Sequence, residues 1–470
     1  MPMTLDSLLM SRRNLLHVAA ATAACSVLRP GPVFAGQAGF TFDADRNIIQ
    51  APKDTAAWPA FRRQLSEWRE RKRRDLDYSD TLYRRDDFAW MPSNYSCCFL
   101  MLCDETFYDA KAGRYTVKEF LDHGLREFGG YDSVVLWHAY PRIGLDDRNQ
   151  FDFYRDVPGG LAGLRSVVDE LHHEGVRVYI DYNPWDEKTR REGKGDLDVL
   201  ADMVQVLDVD GLFLDTMDRG AAEFREKLDA VRGGVVLEGE GALPLNRIAD
   251  HHASWAQWFD DSEVPGVLRN KWFERRHQQH QIKRWDHDHT GELHAAWMNG
   301  SGMMVWENVF GSWMGWNARD RSVLRCMLPI QRRFWRLLAG EGWTPLVPTR
   351  QPHVYASLWE GDRLRLWTMV NRSSTDISGP LLDVTLGEGE QVWDLVAGVH
   401  AAAAGPSPPG GLIAVAGCIP PRGVACFVAG TRATVGDDFS RFLKGQQEVQ
   451  DCARWDTGLS AIQTQMRPVS

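Results

Sequence analysis

Two short apolar runs, each closed by a carboxylate, constrain this chain more than anything else in it. The first reads Asp-Gly-Leu-Phe-Leu-Asp from Asp210 to Asp215. The second reads Val-Val-Leu-Glu-Gly-Glu from Val235 to Glu240. Between them lies one helix length of amphipathic sequence. A strand, a crossover helix and a second strand in this order form a parallel βαβ unit. Two strands that each deliver an acid at the C-terminal end point to a paired-carboxylate site on a β/α scaffold.

The same rhythm extends in both directions. Strands are predicted at 97–103, 133–139, 176–181, 211–215, 235–238 and 254–259. Helices are predicted at 116–128, 161–173, 196–207 and 221–231. Later segments read as a long helix over 268–285, short strands at 294–298 and 303–308, and a closing helix over 322–338. No glycine-rich phosphate turn follows the first strand, which disfavours a doubly wound sheet. The pattern predicts a (β/α)8 barrel over 96–341. Residues 36–95 precede it as an extension, with a helix over 58–76 covering one barrel end. From 342 to 430 the texture changes to alternating runs split by Gly, Pro, Asp and Ser, which predicts an antiparallel β-sandwich. Residues 431–470 read as a polar tail. A chain of 470 residues holds a barrel of about 250 residues and such a module comfortably.

The first 35 residues resemble an export signal. Ser11-Arg12-Arg13-Asn14-Leu15-Leu16 has twin-arginine character, and Val33-Phe34-Ala35 offers a small-residue cleavage site. Cys25 is an alternative lipid attachment point. The reading is a periplasmic or secreted protein with no stable membrane span once the signal is removed. Seven cysteines then remain, an odd number without regular spacing, so no disulfide framework is implied. Cys418 and Cys426 are near enough to pair across a hairpin. A net charge of −10 argues against nucleic acid as the partner. The 19 Trp residues serve core packing first, and sugar stacking second.

Strand parity selects the candidate site. Asp215 shares parity with Phe213, and Glu240 shares it with Glu238, so all of them face one side. Asp215 is the candidate nucleophile, with capping of the next helix as its structural alternative. Glu240 and Glu238 are the candidate acid/base, with Glu307 in reserve at the end of another run. On the third strand, Val178 and Ile180 face outward, while Asp181 and Asn183 face the axis. They join Trp185 and Asp186 as candidate substrate-binding residues. Trp137, His138 and Tyr140, with 146–149, form a candidate rim. His277, His280, His287 and His289 match no metal-binding spacing, and no motif calls for a cofactor or metal.

These residues resemble retaining glycosidases of the α-amylase clan and related α-galactosidase-like barrels. Asp-Gly-Leu-Phe-Leu-Asp is similar to their fourth-strand nucleophile motif, Leu-Glu-Gly-Glu to the fifth-strand acid/base segment, and Ile180-Asp181-Tyr182-Asn183 to the third-strand motif. The resemblance implies an exported glycoside hydrolase acting on an oligo- or polysaccharide through a retaining mechanism. Phe213 stands where the clan has Arg, Pro184 where it has His, and no His-Asp motif marks the seventh strand. Two other readings fit the same pattern: a barrel that binds carbohydrate without cleaving it, and a metal-dependent hydrolase.

Overall fold

The computed structural model describes residues 40–138, 146–186, 189–257, 259–403 and 411–449. The segment read as an export signal, with Cys25, and also Tyr140 and Cys452, lie outside these residues. Eight parallel strands close into a barrel in chain order. They are β1 (Ser96–Met101), β2 (Ser133–Trp137), β3 (Arg177–Tyr182), β4 (Gly211–Leu214), β5 (Val236–Gly239), β6 (Ala253–Gln257), β7 (Gln278–Ile282) and β8 (Gly302–Val305). The last strand pairs back onto the first, Met303 with Ser96 through Val305 with Cys98.

Alternation along these strands sorts their side chains into two layers. Val134, Val178, Ile180, Leu212, Leu214 and Leu237 pack outward among the helices. Phe99, Trp137, Tyr179, Phe213, Trp255 and Trp306 point inward and form a separate cluster. Phe99 is its hub. Its ring centroid lies 5.2 Å from Trp137, 5.0 Å from Phe213, 5.2 Å from Trp255 and 4.4 Å from Trp306. The barrel is therefore plugged by aromatic side chains and is not a channel.

Helix α1 (Trp58–Asp75) buries Trp58, Phe61, Leu65 and Trp68. It lies on the flank and does not cap an end: Trp272 Nε1 donates to Leu65 O at 3.0 Å, and Arg69 Nε donates to Phe273 O at 3.0 Å. The N-terminal mouth is closed instead by the short turns around Phe88 and Met91, which join the inner aromatic cluster.

Two elements differ from the sequence-based expectation. The stretch 268–285 is a five-residue helix, Arg269–Phe273, followed by barrel strand β7. Its Gln and His residues mask a strand because their polar atoms are satisfied inside the barrel. Gln278 Nε2, for example, donates to Pro92 O at 2.7 Å. The stretch 294–298 lies within a helix, Thr290–Asn299, which ends at Gly300 in the left-handed region (φ +60°). Every residue from Glu292 to Asn299 is buried, so no polar face remains to mark a helical period.

The C-terminal module packs a six-stranded antiparallel sheet against a three-stranded one. It is tied to the barrel through the buried helix. Trp297 Nε1 lies within hydrogen-bond distance of Met369 O (3.1 Å) and Ala425 O (3.2 Å), and Ser357 Oγ donates to Met298 O at 2.7 Å. Cys418 and Cys426 are free thiols, one exposed and one buried. The segment after 431 is not a loose tail over its described part. Residues 439–449 are helical, and buried Gln446 donates to Cys326 O and Leu395 O. Among the described residues no helix is long and apolar enough to cross a membrane.

Lys271, on the short helix before β7, is fully buried, and its Nζ has no hydrogen-bond partner. Burial pulls its ammonium from 10.5 down to about 7, with Glu274 opposing and Arg275 adding to the effect. Between those values the unfolded chain holds a proton that the folded chain lacks. The contribution to stability is present above the unfolded value and is lost as the pH falls through the folded one. Lys271→Met is expected to raise the melting temperature at pH 7. It should also flatten the rise in stability between about pH 7 and pH 10, which thermal melts across that range will read.

Candidate active site

Asp181, Asp215 and Glu240 lie at the C-terminal ends of neighbouring barrel strands. Asp215 follows β4, and its N–H donates to Tyr182 O at 2.9 Å, extending the ladder by one residue. It does not cap a helix, because the next one (Glu223–Val231) starts after Ala222. Thr216 then takes a left-handed backbone conformation, φ +60°. This is a strained state for a β-branched residue. The strain aims the Thr216 N–H at Glu240 Oε2, 2.6 Å away. Gly239 makes the approach possible: a Cβ there would lie 2.7 Å from Asp218 O.

Glu240 is held by donors on both oxygens. Besides Thr216, its Oε1 lies 3.2 Å from Gln257 Nε2 and 3.3 Å from Arg284 Nη1. Asp215 sits behind it, 7% exposed, beside the Glu240 carboxyl and the Trp137 indole. Burial, then the Glu240 charge, hold the Asp215 carboxyl well above the usual range, with Arg284 opposing. Burial and the neighbouring charge thus favour the neutral form of Asp215, while Glu240 accepts three hydrogen bonds from Thr216, Gln257 and Arg284.

A second acid is close by. Asp181 is buried 3.0 Å from His138 Nε2, and burial raises it, with the charge of Glu240 adding to the effect. Asn183 performs turn chemistry. Its Oδ1 accepts the Trp185 N–H at 3.1 Å, and its backbone N–H donates to Gln150 Oε1 at 2.8 Å. Asp186 accepts the Gln150 N–H at 2.7 Å, at the start of helix Gln150–Arg155. Asn149 caps that helix in a reciprocal box with Asp152.

Glu238 and Glu307 do not join the pair. Glu238 lies one layer below Glu240, fully buried, with His280 Nδ1 at 2.6 Å. His280 Nε2 faces Asn94 O at 3.0 Å. Nε2 donates to that carbonyl, and Nδ1 faces the Glu238 carboxyl. Burial alone would lower the imidazole, but the charge and hydrogen bond of Glu238 outweigh that and raise it. Cys97 lies within ligand reach of both, and the three form a buried cluster in which both imidazole nitrogens already have partners. Glu307 has outward parity after β8 and meets His123 Nε2 of helix Val117–Phe128 at 3.2 Å.

Arg284 and Gln257 escaped the sequence reading. Arg284 shares parity with Gln278, His280 and Ile282, a signal hidden while the segment reads as a helix. Its guanidinium lies 5.6 Å from the Trp306 ring and 5.3 Å from Phe310. Above the pair an open cleft of about 640 Å3 is lined by Thr216, Asp218, Arg219, Glu240, Gln257 and Phe259. Asp215 Oδ2, Asn183 Nδ2, Asp186 Oδ1 and Gln257 Oε1 are buried here without hydrogen-bond partners. The exposed large aromatics, Trp185, Trp285, Phe310 and Trp313, all lie on loops that leave the same end of the barrel. Trp137 lines the inner wall.

No protein-family model matches the sequence, and no curated protein matches it. Solved structures resemble it in three dimensions. An α-amylase from Geobacillus thermoleovorans complexed with acarbose is 13% identical, with a TM-score of 0.48, over 72% of this chain and 99% of its own. A debranching enzyme from Nostoc punctiforme is 10% identical, with a TM-score of 0.47, over 73% and 99%. A cyclomaltodextrinase is 11% identical, with a TM-score of 0.49, over 73% and 79%. At these identities any chemistry rests on the side chains just described.

The two fifth-strand glutamates separate by experiment. Glu238→Gln is expected to lower the unfolding free energy by about 3 kcal/mol, because it leaves buried His280 without its counter-charge. Glu240→Gln should leave stability near that of the wild type. Urea denaturation of both variants checks this.

Proposed function

We propose that the protein is an exported glycoside hydrolase of the retaining type, acting on an oligo- or polysaccharide through Asp215 and Glu240. The observation that carries this reading is the placement of these two carboxyl groups at adjacent strand ends, near enough for the Glu240 charge to raise Asp215, with Glu240 lining an open cleft. Inverting pairs stand about 6.5–9.5 Å apart to bracket a water, and retaining pairs about 5–5.5 Å. The resemblance of the fourth- and fifth-strand motifs to retaining glycosidases favours the closer geometry. The orphaned polar atoms of Asn183, Asp186 and Gln257 suit sugar hydroxyls, each of which both donates and accepts. The twin-arginine-like segment at residues 11–16 supports export.

The surroundings of the two carboxyl groups suggest the roles. Glu240, held by Thr216, Gln257 and Arg284, is the ready carboxylate. Asp215, desolvated against Trp137, is the ready acid. This reverses the order that the family resemblance implies. In the first step a Glu240 oxygen bonds to the anomeric carbon as the bond to the leaving oxygen breaks, and that oxygen takes the Asp215 proton. In the second, Asp215 takes a proton from water, the hydroxyl bonds to the anomeric carbon, and the ester to Glu240 breaks.

Asp215→Asn and Glu240→Gln are each expected to cut turnover of 4-nitrophenyl glycosides by on the order of 10^2- to 10^4-fold. Mass spectrometry after trapping with a 2-deoxy-2-fluoro glycoside should place the ester on Glu240. An ester on Asp215 would restore the other order, and wild-type turnover in both variants would end the assignment.

A further inference from the structure

The loop after β8 contains a small hairpin, in which Asn308 pairs with Trp313 and Val309 with Ser312. Its two turn residues, Phe310 and Gly311, both have positive φ, +52° and +82°. This is the backbone of a type I′ turn, whose first position ordinarily holds Asn, Asp or Gly. An aromatic residue is a poor choice there, since its Cβ crowds the backbone. Burial compensates only in part, because Phe310 is 49% exposed. A strained, half-exposed residue is a candidate for function.

Its neighbours say which function. The Phe310 ring lies 5.1 Å from Trp137 and 5.4 Å from Trp306, and near-parallel to Trp285 at 5.8 Å. The Arg284 guanidinium lies 5.3 Å from it. Trp137 lies beside Asp215, and Arg284 hydrogen-bonds Glu240. The ring is thus one side chain removed from each carboxyl group, at the end of the barrel where both acids stand.

We infer that Phe310 is a substrate-binding residue: the hairpin holds its ring over the catalytic pair to stack on the apolar face of a sugar. This rests on the glycosidase reading above. A strained aromatic at a turn has a useful property for testing, because the residues that remove the ring also suit the turn better.

Phe310→Asn and Phe310→Gly are therefore expected to melt at or above the wild-type temperature. Their KM should rise about tenfold on whichever 4-nitrophenyl glycoside the wild type turns over, with a smaller change in kcat. A KM unchanged in both variants, with the wild type active, would overturn the Phe310 assignment alone. A lower melting temperature in both would make the ring a structural prop and overturn it as well. A wild type inactive on every α- and β-glycoside tested would remove the underlying reading, and this one with it.

Discussion

The interior of a closed eight-stranded barrel has to be filled, and the way this one is filled sets the position of everything above it. Phe99 stands at the centre, with Trp137, Phe213, Trp255 and Trp306 around it. Rings of this size leave no path through the barrel. The next inward positions along the strands are pushed to the rim. Those positions are Asp181, Asp215, Glu240, Gln257 and Arg284. The polar site is thus a consequence of the apolar plug and the two-residue period of a strand.

Charge is stacked on the fifth strand in two layers with different neighbours. Below the rim, Glu238 is neutralised by His280, and both are sealed from water. At the rim, Glu240 meets an arginine just past the end of β7, and its charge helps raise Asp215. Phe213, two residues before Asp215, is committed to the plug, and the cation beside Glu240 comes from the end of β7.

The fold and half of the site could be read from sequence because both are written in strand parity. Asp215 and Glu240 stand at the ends of short apolar runs, and the outward Val178 and Ile180 identified Asp181 as inward. Parity could not separate Glu238 from Glu240, since both point to the axis; depth separates them, and depth is a property of the assembled barrel. Arg284 was invisible for a related reason. Its strand is rich in Gln and His, whose polar atoms find partners only once the barrel closes. Helix Thr290–Asn299 lacks a readable period because no face of it meets solvent. Phe310 gave no signal, since a left-handed aromatic is a matter of backbone angle and not of composition.

That last helix bears on how the chain holds together. Trp297 reaches from it to two carbonyls of the C-terminal module, and Ser357 reaches back to Met298. A wall of the barrel that would ordinarily face water faces a sheet instead. Cut loose at residue 341, the barrel would present to solvent a helix with no polar side to turn outward. The sandwich is therefore less an appendage than a missing piece of the barrel's own surface, and insertions or fusions that pry the two apart would expose the barrel to aggregation before they touched the acids at its rim.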